Sequence, residues 1–241
     1  MKKAILLTAL GAMLLGTAMR AETPLTDTNV QFFYDFGSDR QHVTTTLEMF
    51  HSDSWGNTFF FVDFDYNFKE TGTDRTIGPS GAYGEFARCF NFWQDTALGG
   101  LSVQAEYNGG LGAQFGGYTI NSAFLLGLNY FFHSADYKNT LNLEVLCKKF
   151  VGKYEKIPMQ LTAVWGCQDL FGAPGLRFSG FVDVWWEDTC VVLSEPQLWY
   201  NIGQHFGCHN LNLGGEVEIS NNFGGVEGWH VRPCLGAKWV F

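Results

Sequence analysis

The feature that most constrains this chain is a side-chain alternation of period two that recurs along nearly its whole length. In Thr58–Phe68, "TFFFVDFDYNF", the alternation is strict from Val62 on: Val62, Phe64, Tyr66 and Phe68 take one parity, Asp63, Asp65 and Asn67 the other. A β-strand throws successive side chains to opposite faces, so this segment is a strand with one apolar and one acidic face. In a soluble sandwich the apolar face meets a core and the acids meet bulk water. In a membrane barrel the apolar face meets lipid and the acids line a lumen. One strand does not decide between them.

Alternation bounded by Gly, Asn, Asp and Pro clusters marks twelve strands. They cover roughly 29–36, 41–50, 58–68, 82–93, 101–108, 118–132, 140–150, 159–167, 176–187, 197–205, 210–220 and 229–241. Most have about the 9 to 11 residues a tilted membrane strand needs, and the number is even. Counts of ten or fourteen stay open at this point. The polar stretches "KETGTDRTIGPSG" and "EDTCVVLSEP" read as loops on the extracellular side, and no segment reads as an amphipathic helix.

The N-terminus reads as a secretory signal peptide over residues 1–21. Lys2 and Lys3 precede a short apolar core, Ala4–Leu15, and then "GTAMRA", with cleavage after Ala21 preferred to Ala18. No later apolar run reaches the roughly 18 residues of a membrane helix. Residues 22–241 therefore read as one exported domain. Losing Lys2, Lys3 and Arg20 takes the net charge from -9 to -12. So acidic a chain offers no basic stripe for nucleic acid. Gly at 29 and Phe at 23, against only 6 Pro, suit a barrel. Six scattered cysteines without a CxxC pair read as mostly free rather than as a disulfide framework, and they offer no zinc spacing.

The end of the chain sets the faces. "LGAKWVF" closes on Phe241, with Ala237 and Trp239 on its parity, as in the C-terminal strand that outer-membrane barrels offer to their assembly machinery. With Phe241 outward, the inward parity is systematically charged and the outward parity systematically large and apolar. The fold expected is all-β: a twelve-stranded antiparallel outer-membrane β-barrel, monomeric and surrounded by lipid. Inward candidates for touching a solute are Phe33, Asp35, Phe59, Phe61, Asp63, Asp65, Glu106, Asn108, Arg177, Asp183 and Arg232. Strand four fits badly, because Arg88 shares parity with Phe86, Phe90 and Phe92. A bulge, or a place near the membrane interface, would accommodate it.

The segments "QFFYDFG", "VTTTLEMF" and "WGNTFFFVDFDYN" resemble the start of Tsx-type nucleoside-specific outer-membrane channels. With "AEYNGG", "LSEPQLWYNI", "GGEVEISNNFGG" and "LGAKWVF", the chain resembles more closely an uncharacterised barrel family related to them. The resemblance implies a narrow twelve-stranded pore in the bacterial outer membrane that takes up small neutral solutes such as nucleosides. No residue role is carried over from it. The expected function is a passive, selective channel. A plugged structural or receptor barrel and a barrel-wall hydrolase are the alternatives. No catalytic residue, cofactor or metal is called for. The adjacent pairs His51–Ser52 and His133–Ser134 make poor dyads, since neighbours on a strand point to opposite faces.

Overall fold

A computed structural model describes residues 26–38, 40–68, 77–113, 117–152 and 156–241. The signal segment, most of "KETGTDRTIGPSG" and the middle of "GGLGAQFGG" lie outside the described residues.

Nine strands follow one another as a meander: β1 Thr26–Asp35, β2 Val43–Asp53, β3 Gly56–Asn67, β4 Gly78–Phe90, β5 Leu101–Gly112, β6 Tyr118–His133, β7 Asn139–Phe150, β8 Met159–Gln168 and β9 Leu176–Trp186. Next come β10 Cys190–Ser194 and β11 Gln197–Tyr200, then β12 Leu211–Asn221 and β13 Trp229–Val240. Both β10 and β11 pair with β9 on one side and β12 on the other. They are two halves of one stave, so thirteen hydrogen-bonded segments make twelve staves. The last strand returns to the first, from Asn29 opposite Val240 to Asp35 opposite Cys234. The sheet is closed and antiparallel throughout. Closure satisfies every strand edge, which lipid could not do.

The tenth stave corrects the sequence reading. "EDTCVVLSEP" reads as a loop and 197–205 as the strand. Instead the stave runs from Cys190 to Tyr200, and Ile202–His205 is a 3-10 turn capped by Asn201, whose side chain accepts from the Gln204 N–H. Pro196 is the reason. It resembles a turn residue, but in place it removes one ladder donor without changing register: Ser194 lies opposite Val182 and Gln197 opposite Ser179. The neighbouring stave makes room with Gly180, at φ 152°, where a Cβ would come within 2.5 Å of the Glu195 carbonyl oxygen. A second short 3-10 turn, Leu170–Gly172, departs from the expected absence of helix.

Other boundaries move less. β2 runs on through His51 and Ser52 to Asp53, so these two residues are strand rather than turn. Pro79 and Ser80 belong to β4 rather than to the preceding loop.

The outer surface is the apolar parity. Phe64 is 44% exposed, Val231 63% and Leu235 64%, with Phe32, Phe86, Phe124, Leu126 and Leu128 alike. Val62 and Tyr66 share the face of Phe64. Surface aromatic pairs such as Tyr107–Phe124 and Trp165–Phe178 stand at 5.1 and 5.8 Å. A wide apolar belt on a closed barrel with a charged interior is the surface a bilayer requires. Arg88 sits on this outer face, and the register shift of β4, which skips Ser80, lies far from it at the other end of the strand. It lies by the β2–β3 turn, donates to both carboxylate oxygens of Asp53 at 2.8 and 3.0 Å, and lies over the Phe90 ring. The interface location accounts for it, and the bulge does not.

Candidate functional site

The lumen is built by the other parity. On β1 the inward side chains are Asp27, Asn29, Gln31, Phe33 and Asp35; all but Asp27, at the rim, are nearly inaccessible. Their neighbours explain why charge is tolerated there: almost every inward carboxylate has a fixed donor. Thr46 donates to Asp63 at 2.5 Å and Thr44 to Asp65 at 2.7 Å. Thr162 donates to Asp183 at 2.5 Å, and Tyr83 to Glu85 at 2.6 Å. Gln104 donates to Glu106 at 3.1 Å and to Glu144 at 2.8 Å, while Asn129 donates to Glu144 at 3.0 Å. Hydrogen bonds to a charged acceptor are worth roughly 1.5–3 kcal/mol each.

All eleven sequence candidates lie on the lumen side, but they do not form one site. Phe59 and Phe61 stand together at 6.2 Å, next to Asp63 along β3. Tyr83 extends the row at 6.0 Å from Phe61, and its hydroxyl donates to Glu85. Phe33 goes elsewhere, packing on Trp199 at 5.5 Å, with the Lys238 ammonium 4.6 Å from the same indole. Asp35 accepts from the Gly37 N–H at 2.6 Å and pairs with Arg40, which reaches in from the first hairpin and also binds Glu218 at 2.7 Å. Arg232 binds the other oxygen of Glu218 at 2.5 Å and Ser220 at 3.2 Å. These residues knit the closing seam. Arg177 meets Asp27 at 3.7 Å, across the mouth between staves that are not neighbours. Asn108 lies opposite Glu85 in the ladder.

Tyr83, Glu85, Trp185, Glu195 and Trp199 are absent from the sequence candidates. Arg88 leaves the faces of strand four unassigned by parity; in the barrel Tyr83, Glu85, Ala87 and Cys89 take the inward parity. Glu195 was hidden in the supposed loop before Pro196.

At the adjacent His–Ser pairs, the His133 ring nitrogen Nδ1 meets the Ser134 carbonyl oxygen at 2.9 Å. The His51 imidazole meets Thr26, and the Ser134 hydroxyl donates to Asp136, whose carboxyl that bond holds below the ordinary carboxylate range. All six cysteines are free. Among the described residues no group of His, Cys, Asp and Glu is arranged to hold a metal ion.

In solved structures the chain resembles the KdgM porin at 12% identity and TM-score 0.49, covering 90% of this chain and 99% of that one. It resembles KdgM porin in complex with disordered oligogalacturonate at 10% and 0.48, with the same coverage, and Pseudomonas aeruginosa OccK10 at 10% and 0.42, over 90% and 98%. No curated protein matches the sequence. Residues 27–241, which take in nearly all of the barrel, match the family described as a domain of unknown function, DUF5020, and the chain belongs to that family.

Proposed function

We propose that the protein is a passive outer-membrane channel for small solutes, related to the Tsx type, and that its solutes are nucleosides. The observation that carries this reading is the row Phe59–Phe61–Tyr83 flanked by Asp63 and Glu85. Flat bases stack on such rings for about 1–3 kcal/mol each. Ribose hydroxyls need acceptors within hydrogen-bond reach, which the carboxylates supply. The same acids repel phosphorylated forms. A passive channel must release what it binds, so the affinity belongs near the millimolar range, about 4 kcal/mol.

The test is nucleoside block of ion current in a planar bilayer. Phe61→Ala, which removes the middle ring, should cost about 1–3 kcal/mol of binding and nearly abolish block. Asp63→Asn should keep block by nucleosides while admitting nucleotides more readily. If nucleosides never alter the wild-type current while other small solutes do, the solute assignment fails and the channel stands.

A further inference from the structure

We propose that Phe223 of the β12–β13 loop sits in one mouth of the lumen and sets the size of the solutes that enter there. The inference rests on the reading of the barrel as a channel and adds what limits entry.

What the ring touches places it. Phe223 meets Trp185 edge to face, with ring centroids 6.2 Å apart and planes at 89°. Trp185 has the lumenal parity of Asp183 on β9 and is 5% exposed. The Lys148 ammonium lies 3.9 Å from the centre of its ring and donates to Gln160, a buried lumenal side chain of β8. Trp186, one residue on, is 51% exposed on the lipid face. A ring packed on Trp185 is therefore on the lumen side of the rim. Edge-to-face pairs at this separation are a preferred aromatic geometry, so the contact holds the ring in place. The neighbouring hairpin reaches into the same mouth, where Arg40 pairs with Asp35 at 3.6 Å and with Glu218 at 2.7 Å. Twelve staves enclose a narrow lumen, so a ring and a guanidinium at its rim leave a restricted opening.

The loop is shaped for this. The Asn221 and Asn222 side chains both donate to the Cys190 carbonyl oxygen, at 3.4 and 3.1 Å, which ties the loop across the tenth stave toward β9. Asn222 stands at φ 53°, in the left-handed region that Asn tolerates. Its N–H donates to the Gly228 carbonyl at 3.1 Å, and its side-chain oxygen accepts from the Gly228 N–H at 3.0 Å, closing the neck of the loop. Gly224 and Gly225, at φ 65° and 80°, then turn the chain back, and the Val226 N–H donates to the Phe223 carbonyl at 3.1 Å. Positive φ at both central residues is what such a tight turn demands. Phe223 is turned in, while Val226 of the same loop is exposed beside a cleft of about 470 Å³ lined also by Thr189, Asn222, Gly225 and Glu227. With its tip exposed, the loop keeps its place through the neck and through the ring.

The experiment is osmotic swelling of liposomes that hold the full barrel, in arabinose, glucose and sucrose, sugars of rising size. Wild-type barrels should pass arabinose and hold back sucrose. Phe223→Ala should shift the cut-off upward, so that sucrose enters, with a smaller change for arabinose. Phe223→Trp should shift it downward and slow glucose. Val226→Ala, in the exposed tip, should match the wild type. Heat-modifiable migration on gels certifies that each variant folds, and Phe223→Leu serves where Phe223→Ala fails to assemble. A cut-off that Phe223→Ala leaves unmoved, or that Val226→Ala moves as far, overturns the inference and leaves the channel standing. Folded barrels that swell in no sugar, wild type and Phe223→Ala alike, overturn the channel reading and the size limit with it.

Discussion

Asp63 and Phe64 are neighbours in sequence and live in different solvents. Asp63 accepts a hydrogen bond from Thr46 inside the barrel, while Phe64 is 44% exposed on the face that meets lipid. One residue of register decides between the two, because a one-residue slip exchanges the faces of a whole strand. Swapping the chemistry at one position therefore reports the assignment. Phe64→Arg places a guanidinium against hydrocarbon and should lower barrel stability by about 2–4 kcal/mol if the position lies near the bilayer midplane. Denaturant unfolding in lipid vesicles measures it, and an unchanged free energy would place Phe64 away from lipid. At this scale the sequence was most readable where both parities were pure, as from Val62 to Asn67 in β3. It was least readable at Arg88, whose partners Asp53 and Thr58 come from β2 and β3 and cannot be seen in a one-strand pattern.

Elements were legible in number, and their ends much less so. Alternation favours twelve, with ten and fourteen open, because each stave must present one face to lipid and one to the lumen; the closed sheet has twelve staves. The ends depend on hydrogen-bond partners that alternation does not encode. Gly78 and Pro79 look like a loop and pair as strand, and Pro196 looks like a turn inside a continuous stave. The solute candidates inherited this weakness: Glu195 was lost with its stave, and Phe33 was grouped with Phe59 and Phe61 although it packs against Trp199. The stave makes its own prediction. Val191, Val192 and Leu193 are paired with β9, so their amides should exchange with deuterium as slowly as those of β9. Exchange as fast as in the turn at residues 187–189 would return the segment to the loop that its sequence suggests.

The whole molecule depends on closure, and closure has a specific chemistry here. β1 and β13 pair over seven residues, and Asp35, Arg40, Glu218 and Arg232 bind one another across β1, the first hairpin, β12 and β13 on the lumen side of that seam. Closure leaves an interior rich in carboxylates, with an aromatic row on one wall and a lysine held against tryptophan on another. Whether that interior conducts separates an open channel from a plugged barrel. The direct measurement is the current through single wild-type barrels inserted in a planar bilayer. An open lumen should give discrete, reproducible conductance steps, smaller than those of wide sixteen-stranded porins because twelve staves enclose a narrower lumen. Folded, heat-modifiable barrels that insert and leave the bilayer at its bare conductance would contradict it, and would make the lumenal charges the filling of a plugged barrel.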